Sequence, residues 1–195
     1  MKSVLFICHG NICRSPMAEF IFKDMVRKSG LRVEGESLRQ AQRPLRQAQQ
    51  PVSQAEWSNR PDWSERTEVL DVVRVDSAAV SYEEEGNDIY PPAKRTLNAH
   101  GIPFSRHSAH RISDAEASEY DVIVIMDTSN KRLLSRILSP MNMSKVHMMM
   151  EYAGKDSDVS DPWYTGDFEK TYQDITEGCK GLLASLMNDE SGNNL

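Results

Sequence analysis

The sequence predicts an α/β protein of three layers, α/β/α, with a four-stranded parallel sheet in the middle. Three observations support this fold class: short apolar runs, amphipathic segments that alternate with them, and a tight polar loop directly after the first run. Strands that alternate with helices pair in parallel, because each helix crosses the sheet and returns the chain to the same edge. The length of 195 residues fits one domain, 1–195, with an interruption at about 34–68.

The N-terminal segment contains the first predicted strand and the first predicted helix. Residues 4–7 (VLFI) form an apolar run that is typical of a buried strand. Ser15 opens the amphipathic segment PMAEFIFKDMVRK, which predicts a helix that ends near Ser29 and Gly30. The residues between them, CHGNICRS at 8–15, therefore form a loop between a strand and a helix N-terminus.

This loop has the composition of an anion-binding site. Its backbone N–H groups and the positive end of the helix dipole favour a bound anion. Five residues separate Cys8 from Arg14, enough to surround one phosphate, and the guanidinium supplies a planar pair of donors. Gly10 and Asn11 tolerate the left-handed backbone geometry that inward-pointing amides require. The residues predicted to bind phosphate are His9, Gly10, Asn11, Ile12, Cys13, Arg14 and Ser15.

Cys8, at the base of the loop, is the predicted nucleophile. The loop amides and Arg14 stabilise the charged form of a thiol, so we expect a thiolate near neutral pH. Ser15 can cap the helix and also donate a hydrogen bond to the sulfur. A cysteine six residues before an arginine is, on its own, more often an ordinary buried residue. The full string, placed between a strand and a helix, favours the catalytic interpretation.

The string VLFICHGNICRSPMAE resembles the low-molecular-weight protein tyrosine phosphatases, whose signature is C-x-G-N-x-C-R-S-P. The resemblance covers about 1–31 and 72–186. It implies hydrolysis of phosphotyrosine in protein substrates through a phosphocysteine intermediate, without a cofactor or metal. His9 departs from the family, which usually has a small or aliphatic residue there, and we expect it to add a titrating charge at the cleft mouth.

The composition changes between about 34 and 68, where the chain is rich in Gln, Arg, Pro and Ser. This stretch contains a seven-residue repeat, LRQAQRP at 38–44 and LRQAQQP at 45–51, followed by the degraded VSQAEWS at 52–58. The prolines prevent a continuous helix, so we expect a flexible or loosely ordered surface excursion. A tolerated insertion is the favoured interpretation, since loop length costs little stability. Docking of a partner through its arginines and tryptophans is the alternative.

Alternating strands and helices resume after this stretch. The predicted strands are about 71–76, 120–126 and 145–149. The predicted helices are about 91–100, 114–118, 127–138 and 167–187. Ligands of such sheets bind at the carboxyl ends of the strands where the strand order reverses, and the loop after the first strand lies there.

Cleavage of a phosphate ester by a thiolate needs a proton donor for the leaving oxygen, and Asp161 is the candidate. It precedes Pro162 and two aromatic residues in a predicted loop. An Asp-Pro pair is commonly only a turn. The resemblance nevertheless implies catalysis here, because family members carry D-P-[YFW]-[YFW] with the aspartate as general acid. We expect Asp161 to protonate the departing phenol and then to activate water against the phosphocysteine.

The resemblance also implies residues that support the loop and line the cleft. DSAA at 76–79 matches the family's D-S-A-[GA], in which the serine holds the loop asparagine, so Ser77 and Asn11 would be that pair. His107 aligns with a histidine of the same network, with an ordinary surface histidine as the alternative. MDTSN implies a structural role for Asp127 beneath the site. The residues expected to line the substrate cleft are Ile12, Tyr82, Trp163 and Tyr164.

The three cysteines, Cys8, Cys13 and Cys179, form no disulfide framework, which predicts a cytoplasmic protein. The segment MKSVLFICHG lacks the pattern of a signal peptide, and leaderless release stays open. The resemblance makes Cys13 the second loop cysteine of the family. Within reach of Cys8, it would form a reversible, protective disulfide; simple packing is the alternative. Cys179, on the last predicted helix, is expected to be an ordinary core or surface residue without a chemical role.

Composition and single positions separate the remaining possibilities. A net charge of −6 argues against nucleic-acid and acidic-membrane partners, and no apolar run reaches the roughly 18 residues of a membrane span. Similar arsenate reductases use further cysteines near MDTSN, where this chain has none. Similar arginine-phosphate phosphatases favour Thr where this chain has Ile12. The apolar Ile12 resembles the phosphotyrosine-selective enzymes, so phosphotyrosine is the favoured substrate. A phosphocysteine carrier would not need Arg14 and Asp161, and a phosphate-binding module would normally have lost Cys8 or Asp161.

The stretch at 34–68 generates a prediction. Deleting residues 37–68 should leave phosphatase activity within severalfold of the full chain, because a surface excursion contributes little to the loop after the first strand. The measurement is kcat/KM on an aryl phosphate, with circular dichroism as the control for folding. A loss of orders of magnitude in a folded deletion protein would show that this stretch takes part in catalysis.

Overall fold

The computed structural model describes residues 1–35 and 72–191, and within them five strands form one sheet. The strands are β1 (Lys2–Cys8), β2 (Arg32–Val33), β3 (Val72–Ala79), β4 (Val122–Ile125) and β5 (Val146–Met148). Their order is β2-β3-β1-β4-β5, and every neighbouring pair is parallel. The prediction of a parallel α/β fold is therefore confirmed.

Among the described residues, the sheet has one strand more than the four that the sequence predicts. The missed strand, β2, is two residues long and pairs with β3 through Arg32 opposite Val72 and Val33 opposite Val73. Two residues are too few to show a strand period in sequence. The prediction of one domain interrupted at 34–68 stays a prediction, because residues 36–71 lie outside the described part of the chain.

The helices follow the strands in the expected order. Those within residues 1–35 and 72–191 are α1 (Arg14–Lys28), α2 (Pro91–Ala99), α3 (Asp114–Ala117), α4 (Thr128–Leu134), α5 (Pro140–Met143), α6 (Pro162–Thr165) and α7 (Phe168–Ser191), with a 3₁₀ turn at Met149–Ala153. The helix predicted at 127–138 ends early, at Leu134, where the Ser135 hydroxyl donates back to the carbonyl of Arg132 at 2.8 Å. The sequence analysis missed α5, α6 and the 3₁₀ turn, which are each about one turn long.

The central strand β1 divides the core into two layers. Val4, Phe6 and Cys8 point into a cluster formed with α1 and α7. Leu5 and Ile7 point to the opposite face, into a cluster that includes residues of α3 and α4. Successive strand residues face opposite sides of a sheet, and β1 is buried on both sides by the layers of helices. This explains why its sequence is a continuous apolar run rather than an alternating one.

None of the helices in the described ranges, 1–35 and 72–191, is long and apolar enough to cross a membrane.

Gly181 provides a test of the packing of α7 against the 3₁₀ turn at Met149–Ala153. A methyl group at this position would overlap the backbone carbonyl of Tyr152. Gly181→Ala should therefore lower the free energy of unfolding by about 1–3 kcal/mol through overpacking, despite the better helix propensity of alanine. Urea denaturation measures the change. Lys180→Ala, at the exposed neighbouring position, is the control and should stay within about 0.5 kcal/mol. An unchanged Gly181→Ala protein would contradict the close contact.

Candidate active site

The loop at 8–15 connects the carboxyl end of β1 to the N-terminus of α1, as the sequence predicts. Cys8, only 3% exposed, ends the strand at the base of the loop. Its sulfur accepts a hydrogen bond from the backbone N–H of Asn11 at 3.3 Å and lies 3.1 Å from Oγ of Ser15. Donors directed at a sulfur stabilise its thiolate form.

Asn11 has the left-handed backbone conformation expected for this loop, with φ of 57°. Its side-chain Nδ2 donates to Oγ of Ser77 and to Oγ of Ser15, each at 2.9 Å. Nε2 of His107 donates to the backbone carbonyl of Asn11 at 2.8 Å. The structure therefore brings together the two residues, Ser77 and His107, that the family resemblance assigned to loop support.

Two residues of this network were not found by sequence reasoning. The backbone N–H of His110 donates to Oδ1 of Asn11 at 3.4 Å. Glu19, on α1, is 7% exposed and accepts a hydrogen bond from the Ser77 hydroxyl at 2.6 Å. Its place in the sequence, in the middle of an amphipathic helix, is typical of a surface glutamate. Only its place at the end of the string VLFICHGNICRSPMAE, which carries the family resemblance, could have suggested otherwise.

Arg14 is buried and lies between two carboxylates. Its Nη1 donates to Oδ2 of Asp127 at 2.6 Å, and its Nη2 lies 2.7 Å from Oδ2 of Asp161. Burial opposes the charged guanidinium, but the negative charges of Cys8 and the two aspartates outweigh it, so the pKa of Arg14 is raised above its ordinary value. Asp127, expected to be structural, thus positions the arginine directly.

Asp161 was predicted in a loop, but it is the N-cap of the one-turn helix α6. Its Oδ1 accepts the backbone N–H of Trp163 at 3.0 Å, and Pro162 occupies the first turn. An aspartate N-cap followed by proline is a standard start for a helix. One carboxylate oxygen is thereby held by the helix, and the other is directed at Arg14 in the pocket.

The pocket above the loop has walls that differ in part from those predicted. Its lining residues are Cys8, His9, Gly10, Ile12, Cys13, Arg14, Glu83, Glu84, Asp161, Trp163 and Tyr164. Tyr82 is not among them, contrary to expectation. It is 67% exposed, and the guanidinium of Arg111 lies 4.6 Å from the centre of its ring. The two residues that follow Tyr82, Glu83 and Glu84, line the pocket instead.

Negative charge surrounds the mouth of the pocket. Nε2 of His9 lies 2.9 Å from Oε2 of Glu83, so a contact joins the loop at 8–15 to the loop after β3. The methylenes of Glu84 lie against Gly10 so closely that a Cβ on that glycine would be 2.9 Å from Cγ. With Asp161, these two glutamates give the pocket wall three carboxylates.

The second loop cysteine, Cys13, lines the same pocket as Cys8, and both thiols are unpaired. Burial raises the pKa of Cys13 to about 12, and the negative charges of Cys8 and Asp161 add to that effect. Cys13 is therefore a protonated thiol near neutral pH. Cys179 is fully buried in the core, and burial raises the pKa of its thiol as well. A disulfide between Cys8 and Cys13 stays a prediction.

A buried cysteine, a buried arginine and an aspartate that share one pocket on a parallel α/β sheet are typical of cysteine-dependent phosphatases. A family model described as low molecular weight phosphotyrosine protein phosphatase matches residues 3–55 and 64–192. The match continues to residue 55, so it includes part of the stretch that the sequence analysis treated as an insertion. This chain belongs to the low molecular weight phosphotyrosine protein phosphatase family.

Individual relatives agree with this assignment. The low molecular weight protein-tyrosine-phosphatase YfkJ of Bacillus subtilis is 33% identical over 97% of this chain and 99% of its own length. The human low molecular weight phosphotyrosine protein phosphatase is 32% identical over 93% of this chain and 94% of its own length. The crystal structure of YfkJ superposes with a TM-score of 0.72 over 97% of this chain and 96% of that chain, at 33% identity.

The acidic mouth generates a prediction about peptide substrates. A phosphotyrosine peptide with lysines beside the tyrosine should have a higher kcat/KM than the same peptide with glutamates, by a few fold per charge at low salt. The double change Glu83→Gln/Glu84→Gln should reduce this ratio toward one. Glu177→Gln is the matched control and should leave the ratio unchanged. It removes an exposed carboxylate of α7 that is paired with Lys155.

Ionic strength supplies the second arm of the same measurement. Because exposed charges are screened over about 10 Å at 0.1 M salt, the preference of the wild-type protein for the basic peptide should decline as salt increases. A preference that persists in the double variant, or one that salt does not change, would show that the glutamates do not select the peptide.

Proposed function

We propose that this chain hydrolyses phosphotyrosine in protein substrates and that Cys8, Arg14 and Asp161 carry the reaction. The observation that supports this most is their convergence. Asp161 comes from the C-terminal third of the chain, yet it lies 2.7 Å from the guanidinium of Arg14 in the pocket that Cys8 also lines. A nucleophile, an oxyanion donor and a proton donor within one pocket are the groups that phosphate-ester cleavage needs.

In the first step, the Cys8 thiolate attacks phosphorus from the base of the loop. The sulfur–phosphorus bond forms as the bond from phosphorus to the phenolic oxygen breaks. Protonated Asp161 gives its hydrogen to that oxygen, so the leaving group departs as a neutral phenol. Arg14 and the loop amides hold the equatorial oxygens of phosphate throughout, where negative charge is greatest.

In the second step, Asp161, now a carboxylate, takes a proton from a water molecule. The water oxygen bonds to phosphorus, and Cys8 leaves as a thiolate with inorganic phosphate as the other product. The contact between Asp127 and Nη1 keeps the guanidinium in place, while Nη2 exchanges its contact with Asp161 for a phosphate oxygen. This exchange leaves the Asp161 carboxyl available to the leaving oxygen and then to water.

The upper walls of the pocket favour an aromatic substrate. Trp163 and Tyr164 stand at the mouth and are 58% and 86% exposed, and Ile12 lines the pocket at the loop. The ring of Trp163 is held by Tyr90, with the ring centroids 5.5 Å apart. Exposed aromatic rings beside a phosphate site offer stacking surfaces to a phosphorylated phenol. The same walls favour phosphotyrosine over phosphoarginine.

The location and partners of the protein follow from the same function. We place it in the cytoplasm, where a reducing environment keeps Cys8 active. A phosphorylated protein is its substrate, and neither nucleic acid nor a membrane surface is a partner. Residues 36–68 of the predicted insertion lie outside the described part of the chain, so docking of an acidic partner there remains the alternative to a tolerated insertion.

Hydrolysis of p-nitrophenyl phosphate by the reduced protein tests the catalytic roles. Cys8→Ser should abolish turnover, because no thiolate remains. Asp161→Ala should lower kcat by about 10²–10⁴, the usual contribution of a general acid. Asp156→Ala, at an exposed position nearby, is the control and should keep full activity.

Two outcomes would contradict the proposal. If the folded, reduced wild-type protein does not turn over, the chain is a phosphate-binding or phosphocysteine carrier module. If a panel of phosphotyrosine and phosphoarginine peptides shows faster cleavage of phosphoarginine, the substrate class is wrong while the mechanism stands.

A further inference from the structure

We propose that Tyr90 is a positioning residue for Asp161: its ring braces Trp163, and through the backbone of Trp163 it fixes the direction of the Asp161 carboxyl. The inference rests on the proposed function, since it concerns the general acid of that reaction. Tyr90 is not among the lining residues of the pocket, but its ring contacts one of them, Trp163. It therefore acts on the chemistry through Trp163 and not by contact with the substrate.

The helix α6, which begins beside Asp161, needs support from outside itself. Its four residues form a single turn, and an isolated turn is unstable because fixing its backbone costs more than its hydrogen bonds return. Pro162 is its one buried side chain, whereas Trp163, Tyr164 and Thr165 are exposed. Contacts with neighbouring elements must therefore hold the turn, and with it the aspartate that caps it.

Tyr90, the N-cap of α2, supplies such a contact. Its ring pairs with Trp163 of α6 at a centroid distance of 5.5 Å and with Phe168, the first residue of α7, at 6.1 Å. Distances of this size are typical of favourable aromatic pairs. One tyrosine thus joins the short helix to the long helix that follows it.

Tyr90 is itself firmly placed. Its backbone N–H donates to the carbonyl of Ile12, in the loop at 8–15, at 2.8 Å. Pro91 follows it, and a residue before proline is confined to extended backbone, which agrees with the φ of −57° and ψ of 133° of Tyr90. Its ring also packs against a small buried cluster that includes Ile12. The ring can therefore act as a fixed support for Trp163.

A hydrogen bond carries the position of Trp163 to the carboxyl. The backbone N–H of Trp163 donates to Oδ1 of Asp161 at 3.0 Å, and Oδ2 lies 2.7 Å from Nη2 of Arg14. A shift of Trp163 would therefore rotate the carboxyl of Asp161. Proton transfer needs that carboxyl within hydrogen-bond reach of the leaving oxygen, so a small rotation is enough to slow it.

Other contacts keep the backbone before Asp161 in place without Tyr90. The carbonyl of Ser160 accepts from the hydroxyl of Thr171 at 2.8 Å, and the N–H of Ser160 donates to Oδ2 of Asp174 at 3.2 Å. Loss of the Tyr90 ring should therefore loosen the direction of the carboxyl while the aspartate stays near the pocket. We expect a partial loss of general-acid catalysis, smaller than that of Asp161→Ala.

Two substrates with different leaving groups separate general-acid catalysis from other effects. Phenyl phosphate releases a strongly basic phenolate that needs a proton, whereas a nitro group stabilises the phenolate that leaves p-nitrophenyl phosphate. The measured quantity is kcat/KM for phenyl phosphate divided by kcat/KM for p-nitrophenyl phosphate. These values report the steps up to the phosphocysteine, so the second step, which both substrates share, does not mask the difference. Loss of stacking or of folded protein lowers both values and leaves their ratio unchanged.

We expect Tyr90→Ala to lower kcat/KM about tenfold for phenyl phosphate and about twofold for p-nitrophenyl phosphate, so that the ratio falls about fivefold. Tyr90→Phe should keep the wild-type ratio, because the ring and not the hydroxyl makes these contacts. Tyr172→Ala is the matched control and should also keep it. It removes a ring of α7 that stacks on His100 at a centroid distance of 3.7 Å.

A double variant shows whether Tyr90 acts through Asp161. In the Asp161→Ala protein the acid is absent, so adding Tyr90→Ala should not lower the ratio further. An unchanged ratio in the folded Tyr90→Ala protein, or an equal further loss in the double variant, would overturn the inference. If Tyr90→Ala does not fold, Tyr90→Leu keeps an apolar side chain without the ring and should lower the ratio in the same direction; an unchanged ratio there would overturn the inference as well.

Fluorescence of Trp163 gives a readout that needs no turnover. When Trp57→Phe and Trp63→Phe are introduced, Trp163 is the one remaining tryptophan. Adding Tyr90→Ala should lower its fluorescence anisotropy, because the ring moves more freely, and an unchanged value would refute the brace. A wild-type protein that hydrolyses neither substrate would defeat the proposed function. A wild-type protein that hydrolyses both, while Tyr90→Ala keeps its ratio, would defeat only the role of Tyr90.

Discussion

The left-handed backbone of Asn11 is the constraint on which the site depends. A non-glycine residue in this conformation costs about 1–3 kcal/mol unless its surroundings hold it there. Here the cost is offset by hydrogen bonds from its side chain to Ser15 and Ser77 and by the donation of His107 to its carbonyl. In return the backbone N–H of Asn11 points at the sulfur of Cys8. The same backbone geometry therefore both strains the loop and directs a donor at Cys8, the proposed nucleophile.

Arg14 connects this loop to the rest of the chain. Its guanidinium contacts Asp127 after β4 and Asp161 before α6, so three segments that are distant in sequence meet at one buried cation. Both aspartates are also helix N-caps, which fixes one oxygen of each carboxylate on a backbone N–H and directs the other inward. A parallel sheet makes this possible because the carboxyl ends of its strands open at one edge.

The sequence was informative where function depends on contiguous residues. The loop from Cys8 to Ser15 could be predicted because a strand, a turn with residues that accept left-handed geometry and a helix start follow one another directly. The sequence was uninformative where short elements are stabilised by packing. β2 has only two residues and pairs with β3 on the side away from β1. Similarly, Tyr82 was expected in the cleft, but Arg111 from another loop holds its ring outside.

The sequence by itself therefore determined the fold class, and residue type and local order were sufficient to predict Cys8 as the nucleophile and Arg14 as its partner. The general acid, Asp161, was predicted from the family resemblance. Only the tertiary structure decided which distant groups support them. Glu19 reaches Ser77 because β1 and β3 pair with Phe6 opposite Ser77, which brings the serine beside the helix that follows β1. Such contacts depend on strand register and helix packing, which are set by the whole core and not by the residues that make the contact.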